Sequence, residues 1–212
     1  MAIELDVFLP HILPDVAGCP AFTARLAIIE AAIELCTDSG AWTETLDLIY
    51  TSAGTHSYEL DLPKDARALL ITNVWAPSGE LTAKSVTEIA RLVPDWQSAK
   101  GTPAYFNQQN WTEFRVYPIP NSPESAALTV RAQLAPTRAA STLPDFMADR
   151  HFQGIVSGAL ARLMLKPAQA WSNPQLAAYH KTEFRLACGN AKVEIFHDRV
   201  AGSMRVTPRR FG

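Results

Sequence analysis

Residues 158–184 read GALARLMLKPAQAWSNPQLAAYHKTEF, and this stretch decides the fold. Two helix-forming runs are split by a corner bounded by Pro167 and Pro174, with Trp171 between them. A proline disfavours helical backbone in the residue before it, so the first run ends at Lys166-Pro167. Ser172 or Asn173 then caps a second helix that starts at Pro174, where a missing N–H costs nothing. Capping accounts for the polar residues of the corner, and helix ends account for its prolines. Trp171 is expected to wedge the corner and hold the two helices antiparallel. Gly154 and Gly158 lie four apart on one side of the first helix, where another backbone can come close. Gly154, Gly158, Pro167, Trp171, Asn173 and Pro174 therefore read as a structural joint.

Upstream, LPDFMADRHFQGIVSGALARLMLK (143–166) supplies the first helix, with Asp145 and Asp149 complementing its N-terminus. Phe146, Ile155, Val156, Leu160, Leu163 and Met164 form its apolar face. Downstream, Leu176, Tyr179, Phe184, Ala187, Ala191 and Ile195 are the expected apolar positions of the second helix. A third helix opens at Phe22. Phe22, Leu26, Ile29, Ile33 and Cys36 form one stripe, Ile28, Ala32 and Leu35 a second, and Gly40 a stop. That pattern predicts burial over a wide arc. The proline-broken start LDVFLPHILPDVAGCP (5–20) reads as extended chain or one short helical turn.

Between these helices the period falls towards two. ETLDLIY (44–50), SYELDLP (57–63), RALLITNVWA (67–76) and AALTVRAQLAP (126–136) read as strands. PAYFNQQNWTEFRVYPIP (103–120) reads as a hairpin turning near residues 108–110, and SVTEIARLVPDW (85–96) is ambiguous between strand and helix. Tyr105, Phe106, Trp111, Phe114 and Tyr117 are the expected core of a small sheet. The resulting expectation is an α+β fold: a helical bundle domain built from both chain ends (1–45 and 141–196), an inserted small antiparallel β-module (46–140), and an extended basic C-terminal arm (197–212).

Charge is distributed unevenly along the 212 residues. The net charge of −2 resolves into −7 over residues 1–50, 0 over 51–140, +2 over 141–196 and +3 over 197–212. This excludes a generally basic nucleic-acid binder and suggests a polar assembly. Three cysteines without CxxC spacing fit a reducing setting. No cationic flank precedes an apolar N-terminal run, and no apolar stretch approaches the ~20 residues of a membrane span.

The catalytic inventory is poor. There is no GxSxG elbow, SxxK pair, phosphate-cradling glycine loop or Cys/His signature. The five histidines are scattered; His180 and Glu183 share a helix face, but two ligands do not make a zinc site. Glu59 and Asp61 alternate on one strand face, as solvent-facing carboxylates do. Neither a cofactor nor a metal is expected. The tail is more informative: Arg199, Arg205, Val206, Arg209, Arg210 and Phe211 mix arginine with apolar anchors, as a partner-binding arm does.

The order of these segments resembles the tailed-bacteriophage head-to-tail adaptor proteins, the connector, head-completion and tail-tubular-A-like family. The signatures are AIIEAAIELCTDSGAWTE (27–44), YELDLP (58–63), FRVYPIP (114–120), LAPTRAASTLPDFM (134–147) and GIVSGALARLMLKPAQAWSNPQLAAYHKTEF (154–184). The resemblance implies a non-enzymatic virion protein, made in the host cytoplasm and located at the neck. It implies a homo-oligomeric, dodecameric ring under the portal protein, with a downstream tail or neck protein below. Viral DNA would pass through its lumen without sequence-specific binding. Residues 197–212 would be the portal-binding arm. A second reading is a phage-tail protein whose β-module recognises carbohydrate or a receptor; it requires an exposed cluster of Trp96, Tyr105, Trp111 and Tyr117.

Overall fold

In the computed structural model, residues 2–121 and 127–196 are described. The chain opens with strand β1 (Ala2–Glu4), a 3-10 turn (Leu5–Phe8), helix α1 (Leu9–Ile12) and a second 3-10 turn (Leu13–Val16). Pro10 and Pro14 each occupy a first-turn position of one of these pieces, which lets proline sit inside a largely helical segment. Leu5, Phe8, Ile12 and Val16 are buried, so this start is a packed part of the core, not extended chain.

Helix α2 spans Ala21–Ser39 and ends at Gly40, whose φ of 68° lets its N–H reach the Cys36 carbonyl. A Cβ at Gly40 would lie 2.8 Å from Gln133 Nε2, so the helix end is pressed against the sheet. Strands β2 (Thr43–Thr45), β3 (Ile49–Tyr50), β4 (Ser57–Glu59), β5 (Ala66–Ala76) and β6 (Gly79–Ala83) follow. Helix α3 (Val86–Leu92) then leads to β7 (Lys100–Gly101), β8 (Tyr105–Gln108), β9 (Glu113–Tyr117), β10 (Ile119–Pro120), β11 (Ala127–Pro136) and β12 (Thr142–Pro144). Helices α4 (Asp145–Met164) and α5 (Pro174–Phe196) complete the described fold.

The sheet overturns the expectation of a helical bundle carrying a small antiparallel module. Strand accounts for 28% of the fold against 43% helix, and eight strands form one large curled, mixed sheet. Its order is β2-β11-β5-β6-β8-β9-β4, with β3 also on β11. The pairing is antiparallel except between β6 and β8, which are parallel. Parallel neighbours need a crossover, and α3 with β7 supplies it. The ambiguous segment 85–96 is therefore helical at its start, fixed by reciprocal hydrogen bonds between Ser85 and Glu88.

Curvature follows from β5. Against β11 it carries two irregularities, between Arg131 and Ala132 and between Gln133 and Leu134, which leave Thr72 and Leu69 unmatched. Each extra residue bends the strand and shifts its inward side by one position. The buried residues of β5 are accordingly Ala68, Ile71 and Val74, three apart, whereas β11 buries Leu128, Val130, Ala132 and Leu134, two apart. One apolar core joins these strands to Ile28, Leu35, Met147 and Ile155 of the helices. Asp65 fastens the sheet to the segment entering α4. Its carboxylate accepts from the Ser141 N–H at 3.1 Å and is held below the ordinary carboxyl range, chiefly by that bond.

Candidate assembly surface

The three long helices converge on two glycines of α4. A Cβ at Gly154 would lie 2.8 Å from Ala187 Cβ of α5. One at Gly158 would lie 2.8 Å from the Phe184 ring and 2.9 Å from Ala31 Cβ of α2. Real Cβ contacts do not come so close, so α4 has no room for a side chain at either position against α2 and α5. Arg162, one turn on, ties the same junction together. It donates to the Gly158 carbonyl at 2.8 Å, pairs with Glu34 of α2, and lies over the Phe184 ring at 5.4 Å. Such a contact joins charge, hydrogen bond and packed stem in one side chain.

At the corner, the helix-end carbonyl of Met164 accepts from the Asn173 N–H at 2.9 Å and from Ser172 Oγ at 3.4 Å. Asn173 Oδ1 accepts from the Leu176 N–H at 3.2 Å, and Pro174 is the first residue of α5. Pro167 lies in the turn between the helices, where Ala168 adopts φ 57°. Trp171 is half-buried and packs on the apolar core. At the far end, Arg150 of α4 pairs with Glu194 of α5 at 2.9 Å, fixing the helical turn that leads into residues 197–212. Arg199, Arg205, Val206, Arg209, Arg210 and Phe211 lie outside the described residues.

Two sequence expectations about helix faces are corrected. On α2 the buried arc takes in Ile28, Ala32 and Leu35 together with Ile29 and Cys36 of the other stripe, but Phe22 and Leu26 at its start are 65% and 52% exposed. On α5 the buried positions are Ala177, Phe184, Cys188 and Ala191, whereas Leu176 and Tyr179 face outward. The missing side chains at Gly154 and Gly158 make the room into which Ala187 and the Phe184 ring pack. Sequence reading missed Leu186, Val193 and Phe196, all more than half exposed. The signal available was the seven-residue spacing of Tyr179, Leu186 and Val193, which returns to one face of a helix.

The other candidates assemble no chemistry. Among the described residues no cluster of three or more His, Cys, Asp or Glu side chains could hold a metal. His180 is half-buried with an unpartnered Nδ1, and Glu183 points to solvent. The three cysteines are free and buried; burial pushes the Cys188 thiol up to about 11, aided by Asp38 and Glu34. The aromatic platform is absent too. Tyr117 is buried beneath Trp96, while Trp111 is 53% exposed and covered on one face by the Arg67 guanidinium at 4.9 Å. Trp111 thus also leaves the expected sheet core, where Phe106, Phe114 and Tyr117 remain. No single described helix is long and apolar enough to cross a membrane.

No curated protein matches the chain. Residues 13–209, nearly its whole length, match the family described as SU10 adaptor protein, a family of structural phage adaptors that places its members at the virion neck. The chain belongs to the SU10 adaptor protein family.

Proposed function

We propose that this protein is the head-to-tail adaptor that docks under the portal as a ring, continues the DNA channel and presents the attachment surface for the tail. The observation that carries the reading is the end of α5. The Arg150–Glu194 pair fixes the last helical turn, and the sequence then continues into sixteen residues holding four arginines and the apolar anchors Val206 and Phe211. Arginine and large apolar side chains are the residues that dominate protein interfaces. A segment that orders on its partner exchanges chain entropy for a large contact.

In this reading residues 197–212 bind the portal, and the helices, with residues 1–45 and 141–196, form the ring body. The segment 46–140 then faces the tail or neck protein. The family resemblance supports reading the ring as a dodecamer through whose lumen DNA passes without base recognition. Buried thiols and scattered histidines fit a protein whose function is contact, not catalysis. The test is portal binding by the full chain and by a chain ending at residue 196. The shortened chain is expected to keep its circular-dichroism spectrum and melting temperature but lose portal binding. Normal binding by the shortened chain would show that the arm assignment is wrong.

A further inference from the structure

The groove nearest the end of α5 is apolar within and acidic at its rim. It is a cavity of about 460 Å³ between β2, the paired strands β1 and β12, and the start of α4. Trp42 and Phe146, edge to face at 6.5 Å, form its floor with Leu143. Arg150 lines its wall and also holds Glu194, two residues before α5 ends at Phe196. Residues 197–212 therefore leave α5 beside this groove. A second hollow of about 160 Å³ shares Glu44 and Pro63 with the first and extends it to Asp47 and Asp61. All three carboxylates are exposed, and among the described residues none pairs with a cation; Glu44 accepts from Trp42 Nε1 at 2.9 Å. Asp145, also in the lining, accepts from the Phe146 N–H at 2.9 Å. Of the two cations there, Arg150 is taken by Glu194, and Lys64 acts on its neighbour Asp65.

We infer that residues 197–212 of the same chain fold back into this groove, with apolar side chains on the Trp42–Phe146 floor and arginines along Glu44, Asp47 and Asp61. The segment carries a net charge of +3 and sets Met204, Val206 and Phe211 among its arginines. Arginine on exposed carboxylates gives charge-assisted hydrogen bonds, which a neutral apolar floor alone does not offer. Sixteen residues span up to about 50 Å when extended, so a groove at the root of the segment lies well within reach. The groove of about 580 Å³ that includes Phe22 and Leu26 is a poorer seat. No residue of α4 or α5 lines it, its Asp6 is already paired with Arg25, and its Arg138 would repel the arm. The inference concerns the chain before any partner is present and does not need the portal. It makes the groove and a partner competitors for the same residues.

Disulfide trapping in the full chain tests this with Lys64→Cys and Gly212→Cys combined. Lys64 lines the groove and is exposed, and the three native cysteines are buried. Ser78→Cys with Gly212→Cys is the control, because exposed Ser78 follows the far end of β5, about 33 Å along that strand from Ala66. An undocked arm reaches both sites. Under oxidised glutathione, the Lys64 pair is expected to close within one chain several-fold faster than the control, at a rate that dilution leaves unchanged. Non-reducing electrophoresis and peptide mass spectrometry read the product. Asp47→Lys with Asp61→Lys brings the rate down to that of the control, and adding Arg209→Glu with Arg210→Glu restores it. Circular dichroism checks each fold, and Asp47→Asn with Asp61→Asn replaces the reversal if that chain unfolds. Equal rates at the two sites, no loss on changing the aspartates, or no rescue by the swapped charges would overturn the inference. So would cross-links that form only between chains, since they place the arm of a second copy in the groove. An arm that docks here yet ignores the portal sinks the adaptor reading alone, and one that binds the portal but not this groove sinks only the inference.

Discussion

Replacing Gly158 by alanine tests the three-helix junction, because two known effects of that change oppose each other. Alanine is favoured over glycine inside a helix by about 0.8–1 kcal/mol. The new methyl, however, would lie 2.8–2.9 Å from the Phe184 ring and from Ala31 Cβ, in two different helices. Phe184 is 3% exposed and Ala31 is fully buried, so neither can yield without moving its backbone. Overpacking a tight core costs about 1–3 kcal/mol, and two obstructed neighbours put this site in the upper part of that range. The net expectation is a loss of about 1–2 kcal/mol, a fall in melting temperature of roughly 2–8 °C for a chain of this size. Gly189 of α5 supplies the control: a Cβ there meets nothing within 4 Å, so Gly189→Ala keeps the propensity gain and melts roughly 2–4 °C higher. Both are read by thermal circular dichroism at low protein concentration, since association would itself raise the midpoint. A Gly158→Ala protein that melts at or above the parent would refute the tight packing of Phe184 and Ala31 on this position.

Further outcomes follow from the same contacts. Trp171→Ala removes a half-buried ring from the α4–α5 corner and is expected to cost about 1–3 kcal/mol and to weaken assembly in sedimentation. Glu88, held by the Ser85 backbone and hydroxyl and by Lys84, has its carboxyl lowered from 4.5 to about 2. A depressed folded-state pKa adds stability above the unfolded value that disappears as pH falls through the folded one. The melting difference between the parent and Glu88→Gln is therefore present at neutral pH and fades between about 4.5 and about 2. Burial, with Asp38 and Glu34 nearby, raises the Cys188 thiol, so the native chain should resist alkylation at neutral pH and react fully once unfolded. Rapid native labelling at Cys188 would contradict its placement in the α4–α5 contact.

Sequence made the helices legible because their ends carry strong punctuation: Gly40 with its left-handed φ, Pro174 at a first helical position, Asn173 as a cap. It also placed the β8–β9 turn, between Gln108 and Glu113. The sheet was harder to see. The two extra residues in β5 turn a period of two into a period of three, so RALLITNVWA loses the alternation that marks a half-buried strand. The parallel β6–β8 pairing depends on a crossover through α3, which no local pattern reveals. Helix faces failed for a different reason. Hydrophobic periodicity identifies an apolar side but does not say whether this chain or another covers it. On α2 and α5 some large apolar residues (Phe22, Leu26, Tyr179, Leu186) point outward, while the inner faces combine Ile28, Leu35 and Phe184 with alanine and cysteine. The resemblance carried the adaptor assignment further than the site residues did, since its segments span the length that the family match covers.

The central claim is that copies of this chain form the ring between portal and tail. Electron cryo-microscopy of the neck of the intact particle tests it most directly. The expected result is a ring of this fold directly beneath the portal, with residues 197–212 in contact with the portal. A neck without this fold, or a ring whose residues 197–212 do not touch the portal, would contradict it.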